Sequence, residues 1–232
     1  MPQATKHRLS WLTLGLLGVI TTALSAYAFT AEQSHLLAGG GSREARAEAF
    51  ASGTRQVGLA TTTQRWFVID CRNSTIFAFT NAVPAETQQA VAQHCLDGAL
   101  GITASVPASS FAWFGAAHAS LAQQNWDDMN VYLGRSFATG AREGWIARYR
   151  AELAIDNYTR LSAANQALFR QDLALLAANM FAFADFLATQ YVNRAELRPM
   201  ITEVVEMTPQ TNQRRFLMLV SRLMSQATQG QS

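Results

Sequence analysis

The sequence predicts an all-helical fold behind one apolar N-terminal helix, and three observations predict it. Residues 9–31 carry no charge and follow the basic tip Lys6 and Arg8. From Thr62 onward, apolar residues recur at helical spacing among abundant Ala, Leu, Gln, Arg and Glu. No strand-like alternation runs longer than four residues.

The N-terminal element comes first. Leu9 to Ala31 is 23 positions, which at ~1.5 Å per helical residue reach ~34 Å, enough for a ~30 Å hydrocarbon core. Lys6 and Arg8 precede it and Glu32 follows, so the positive-inside rule keeps the N-terminus in the cytoplasm and sends the bulk of the chain across. A cleaved signal peptide is the rival: the apolar centre from Trp11 to Leu24 is short, and Ala26-Tyr27-Ala28 fits cleavage after Ala28. The anchor is the preferred reading. Apolar character runs on through Phe29, and Trp11 and Tyr27 stand where interfacial aromatics of a spanning helix would. Either way residues 32–232 lie in the periplasm of a bacterial-type envelope, tethered to the inner membrane or free.

Three segments follow from this: 1–31 as signal-anchor, 32–61 as a tether, and 62–232 as the helical domain. The tether reading rests on Gly39-Gly40-Gly41-Ser42 and Ser52-Gly53-Thr54, which bracket one short helix over 42–50. Lys6 and Arg8 account for the whole net charge of +2, so the remainder is neutral. A neutral body with no arginine run beyond Arg214-Arg215 argues against nucleic acid as a partner.

The domain opens with a helical hairpin, 62–81 and 84–100, broken at Val83-Pro84. Pro84 suits the first helical position and Glu86 the first turn. The only two cysteines, Cys71 and Cys95, lie equally far either side of residue 83, level with one another across the hairpin. In an oxidising compartment an even count pairs. A disulfide there adds roughly 3 kcal/mol by restricting the unfolded chain. A metal site from Cys71, His94 and Cys95 is disfavoured, since adjacent helical positions point ~100° apart and no CxxC or HxxxH spacing supports it.

The strand-like Thr75–Thr80 reads as helix because Trp66, Ile69, Ile76 and Thr80 share a helical stripe. A second pair spans 110–123 and 126–139. Trp113, Ala116, Ala117, Ser120 and Leu121 form one face, and Met129, Leu133 and Phe137 the facing stripe. Gly140 ends that pair where a left-handed residue is wanted. Another helix begins at Glu143 or Trp145 and breaks near Asn157. Ser162 caps a helix over 163–178, and 179–192 continues as an apolar one. Asn193 and Glu196 open the next, with its regular part at Arg198 because of Pro199, and Thr208-Pro209 opens the last.

Residues 110–154 resemble a tetratricopeptide repeat (TPR). Trp113 stands at the large aromatic position of helix A and Ala117 at its small position, with Trp126 at the aromatic that begins helix B. Leu133 and Ser136 match the large and small positions of helix B, and Trp145 recurs 32 residues after Trp113, close to the repeat length of ~34. Ser120 in place of a large aromatic, Met129 in place of Ala, and the lack of a closing Pro depart from the pattern. The resemblance implies an antiparallel helical-pair stack whose groove binds an extended peptide or partner helix. Trp113, Tyr132, Arg135, Arg148 and Tyr149 are the expected partner-binding set. The same aromatics, with Phe114, Trp126 and Trp145, could instead fill the core.

Catalytic chemistry is poorly signalled. Beyond the N-terminal segment the histidines are His35, His94 and His118, and GxSxG, HExxH, Walker and GxGxxG motifs are all missing. Asp127-Asp128 suits the first turn of a helix through the helix dipole, and Glu203 with Glu206 reads as a solvated face. No catalytic residue, metal or cofactor is therefore expected. The sequence points to a membrane-anchored periplasmic scaffold for a protein partner in the envelope. Alternatives are an accessory structural subunit of an inner-membrane complex, or an enzyme with a groove-based site around His118, Asp127 and Asp128.

Overall fold

The computed structural model describes the backbone of residues 3–38, 41–81 and 83–229 and is helical throughout, with no strand among the described residues. Gly39 and Gly40 of the expected tether lie outside the described residues, as do the side chains of Lys6, Arg8, Trp11 and His35. The chain divides into two compact units, Met1–Gly98 and Ala99–Ser232.

The first unit begins with α1 (Gln3–Ala38), whose stretch Leu12–Gln33 has mean hydropathy 1.7 and is unburied. By length and composition α1 can cross a membrane or serve as a signal sequence. It runs past Ala31, so residues 32–38 are helix where a tether is expected. Glu32 shows why this end is fixed: its carboxylate accepts from the backbone N–H of Leu59 and of Ala60, both at 2.7 Å. Ala60 heads α3 (Thr61–Thr80) with no cap of its own side chain, so Glu32 supplies acceptors that the helix start lacks.

The short helix α2 (Arg43–Ala51) starts at Ser42, whose hydroxyl accepts from Ala45 N at 3.2 Å. It packs on α3 through buried Ala47 and Phe50. The Phe50 ring meets Phe67 edge-on at 5.4 Å. Burying each of these phenylalanines stabilises the unit by roughly 2–3 kcal/mol. Ala47 and Phe50 thereby belong to a core. Helix α4 (Ala85–Ser105) presents Val91, Ala92 and Cys95, all buried, and Cys71 on α3 lies at disulfide distance from Cys95 with Cα atoms 5.5 Å apart. His94 turns away from the sulfurs. Its Nε2 lies 2.6 Å from the Arg55 carbonyl, and its ring packs edge-on against Phe50 and Phe67.

The second unit holds α5 (Ser110–Ala122), α6 (Trp126–Thr139), α7 (Gly144–Asp156), α8 (Ala163–Ala178), α9 (Met180–Asn193), α10 (Arg198–Glu206) and α11 (Gln210–Gln229). Serine and asparagine caps set the starts: Ser109 accepts from Ala112 N, Asn125 from Asp128 N and Ser162 from Asn165 N. Helix α5 packs on α6 and on α7, α8 on α6 and on α7, and α9 on α8 and on α11, with α10 touching α8, α9 and α11. Ala112, Ala116, Ala117 and Ser120 are buried to 1% exposure or less, which lets neighbouring backbones approach α5.

Gly140 corrects an expectation. Its φ of −150° is extended, not left-handed. The glycine is needed for space, because an added Cβ would run into the Ser110 side chain.

Candidate functional site

The five expected partner-binding residues fall into separate places around α5. Trp113 on α5 is 9% exposed and stacks on half-buried Tyr132 of α6, ring centroids 5.8 Å apart. Its indole N–H donates to the Pro107 carbonyl at 2.8 Å, and the exposed Arg135 guanidinium lies over the ring at 4.7 Å. These three form a contiguous patch of an arginine, an indole and a phenol. Val131, one turn before Arg135 and 50% exposed, extends it with apolar surface.

Tyr149 belongs elsewhere. On α7 it packs against Phe111 at 5.2 Å and Phe114 at 5.6 Å, with Trp145 at 6.4 Å, on the side of α5 that meets α7. Phe111 and Phe114 are buried, and Tyr149 and Trp145 half-buried, so this group is mainly core. Arg148 is exposed. It pairs with Glu152 one turn on at 3.2 Å and lies over Phe186 at 5.7 Å. Tyr149 and Arg148 thus contact other side chains than Trp113, Tyr132 and Arg135 do.

The strongest polar feature of the unit escapes sequence reading: a buried ion pair between Arg150 on α7 and Asp172 on α8, side chains 2% and 3% exposed. The contact is bidentate, Nε donating to Oδ2 at 2.8 Å and Nη2 to Oδ1 at 2.6 Å. The guanidinium also donates to the carbonyls of Ser136 and Gly140, each at 3.3 Å, and to the Ser110 hydroxyl at 3.4 Å. Ser110 in turn donates to Ser136 O at 2.6 Å. Four helices, α5 to α8, meet at this one cation. Burial pushes the Asp172 carboxyl above its ordinary range, while the hydrogen bond and charge of Arg150 pull it back down.

The adjoining cavity, walled by Leu133, Phe137, Leu168 and Phe169, holds only ≈ 10 Å³, about the room one water needs. The pair is a structural node. A second tie runs between α6 and α8: Asn165 Nδ2 donates to Asn130 O at 2.8 Å, and Ser162 N donates to Asn130 Oδ1 at 2.7 Å. No sequence signal marked Arg150 or Asp172, because each stands near other charged residues, Arg148 and Glu152 or Arg170, and reads as part of a solvated face.

Two of the three groove-enzyme residues make structural contacts. Asp128 closes the start of α6, its carboxylate accepting from Asn125 Nδ2 at 2.7 Å, and His118 packs 6.1 Å from Phe114. Among the described residues no group of three His, Cys, Asp or Glu is placed to hold a metal ion. Compared with family models, curated proteins and solved structures, the chain matches none.

Proposed function

We propose that this protein is a membrane-anchored periplasmic scaffold that holds a protein partner of the bacterial envelope on a stack of TPR-like helical pairs, without enzymatic activity. The observation that carries the reading is the α5–α6 patch of Val131, Tyr132, Trp113 and Arg135. A stacked indole and phenol with an arginine over the indole, Trp113 buried, Tyr132 half-buried and Arg135 exposed, are the residue types that anchor protein interfaces. The α5–α6 and α7–α8 pairs, with α5 against α7 and α6 against α8, support a stacked-pair description. The length and apolarity of α1 support the anchor. Cysteines at disulfide distance favour an oxidising compartment.

The test is affinity isolation of the full-length protein from cross-linked membranes, with Tyr132→Ala plus Arg135→Ala as comparison. A partner recovered with the parent protein and reduced at least about tenfold with the variant, whose helicity is unchanged, supports the reading. Equal recovery with both, or nothing above background with either, refutes it.

A further inference from the structure

The first unit contains a groove of ≈ 400 Å³, a size that suits a small organic molecule. Its wall includes Arg43 and Arg46 of α2, Arg72, Phe77 and Thr80 of α3, and Asn81. Arg43 and Arg46 are three residues apart, one above the other on the same helical face. Arg72 comes from α3, on which α2 packs. Among the described residues no acidic side chain lines the groove. Two carboxylates stand beside these arginines: Glu44 hydrogen-bonds Ser42 and lies near Arg43, and Asp70 takes Arg55 at 2.8 Å, with Arg46 the looser partner at 4.0 Å.

Three guanidiniums around one concavity call for an anion with several oxygens and more than one charge. A carboxylate offers two oxygens and a single charge. A phosphate monoester offers three oxygens, carries up to two charges near neutral pH and matches the guanidinium fork. The volume exceeds what a bare phosphate ion fills. Phe77 and Ile76 give the remaining space an apolar side, and Thr80 and Asn81 give it a polar one.

We propose that this groove binds a phosphate monoester, its phosphate held by Arg43, Arg46 and Arg72. The monoester can come from a lipid headgroup or from a soluble metabolite, and the same three residues serve either. This site stands apart from the partner-binding reading, and neither depends on the other.

The experiment uses the full-length protein in an uncharged detergent. Binding of sn-glycerol 3-phosphate is measured by calorimetry, and retention of dioleoyl phosphatidic acid by native mass spectrometry. Glycerol, phosphatidylcholine and a tetraglutamate peptide are the controls. Each Arg→Gln substitution at 43, 46 or 72 is expected to weaken binding about tenfold or more, since each removes a charge-assisted contact. Arg43→Gln is informative alone, because Arg43 is exposed and its loss leaves the Arg46–Asp70 contact in place. Glycerol phosphate bound by the parent protein and weakened in Arg43→Gln supports a soluble ligand. Phosphatidic acid alone behaving so supports a lipid ligand. The proposal is overturned if neither monoester binds, if Arg43→Gln and the triple variant bind as the parent does, or if only the acidic peptide binds.

Discussion

Removing Arg150 alone should cost the second unit a large share of its stability, whereas replacing both members of its ion pair should not. The single substitution Arg150→Met deletes the bidentate contact to Asp172 and three further acceptor contacts, and strands a carboxylate that is 3% exposed. Breaking such a buried pair from one side costs about 3–5 kcal/mol, against a whole-domain stability of roughly 5–15 kcal/mol. In a chain of this size that lowers Tm by roughly 6–20 °C. Arg150→Met with Asp172→Leu leaves no buried charge and should lie within about 1–2 kcal/mol of the parent. The assay is urea denaturation of detergent-solubilised protein followed by circular dichroism, at pH 7 and pH 5. In Arg150→Met the groups that pull the Asp172 carboxyl down are gone, so desolvation raises its folded value further. A carboxyl raised in the folded state binds its proton there first, so stability falls as pH rises from the ordinary carboxylate range to the raised folded value. The deficit of Arg150→Met should therefore shrink on going from pH 7 to pH 5. A single variant within about 0.5 kcal/mol of the parent would refute the node, as would a double variant no better than the single one.

Three further outcomes follow from the geometry. Gly140→Ala, which forces a methyl group into the Ser110 side chain, should destabilise by about 1–3 kcal/mol, and an unchanged denaturation midpoint would show that the approach relaxes freely. Alkylation of the unreduced, denatured protein should add no mass at Cys71 or Cys95, and reduction should lower stability by roughly 3 kcal/mol; two alkylated thiols without reductant would contradict the pairing. Intact mass of the protein purified from membranes should include residues 1–28, and a chain beginning at Phe29 would convert the anchored scaffold into a free one.

Much of the helical framework was legible because caps and breakers are local signals. Ser162 with Asn165, Pro199 ahead of Ile201, and Pro84 between two apolar stripes each mark a boundary within a few residues of its cause. The cysteine pairing was legible for the same reason, since the break at Val83-Pro84 puts both residues in register. What failed to show depends on which faces meet. Phe50, in a charged nine-residue helix, looked like part of a tether until α3 supplied Phe67 as its partner. Glu32 looked like the charged end of an apolar span, yet it caps a helix start 28 residues on. Arg150 and Asp172 differ from surface charges only in the helices that surround them. The expected binding set splits because Trp113 and Phe111, two residues apart on α5, point to nearly opposite sides. Arg43, Arg46 and Arg72 converge only once α2 lies along α3.

The central claim, that the α5–α6 patch receives a protein partner, is tested most directly by placing a photo-crosslinking amino acid at single positions in the full-length protein in living cells. Positions 131 and 135 should each give an adduct of the same discrete mass, while the exposed positions 170 and 203 give none. No adduct at 131 and 135, or the same adduct from all four positions, would contradict it.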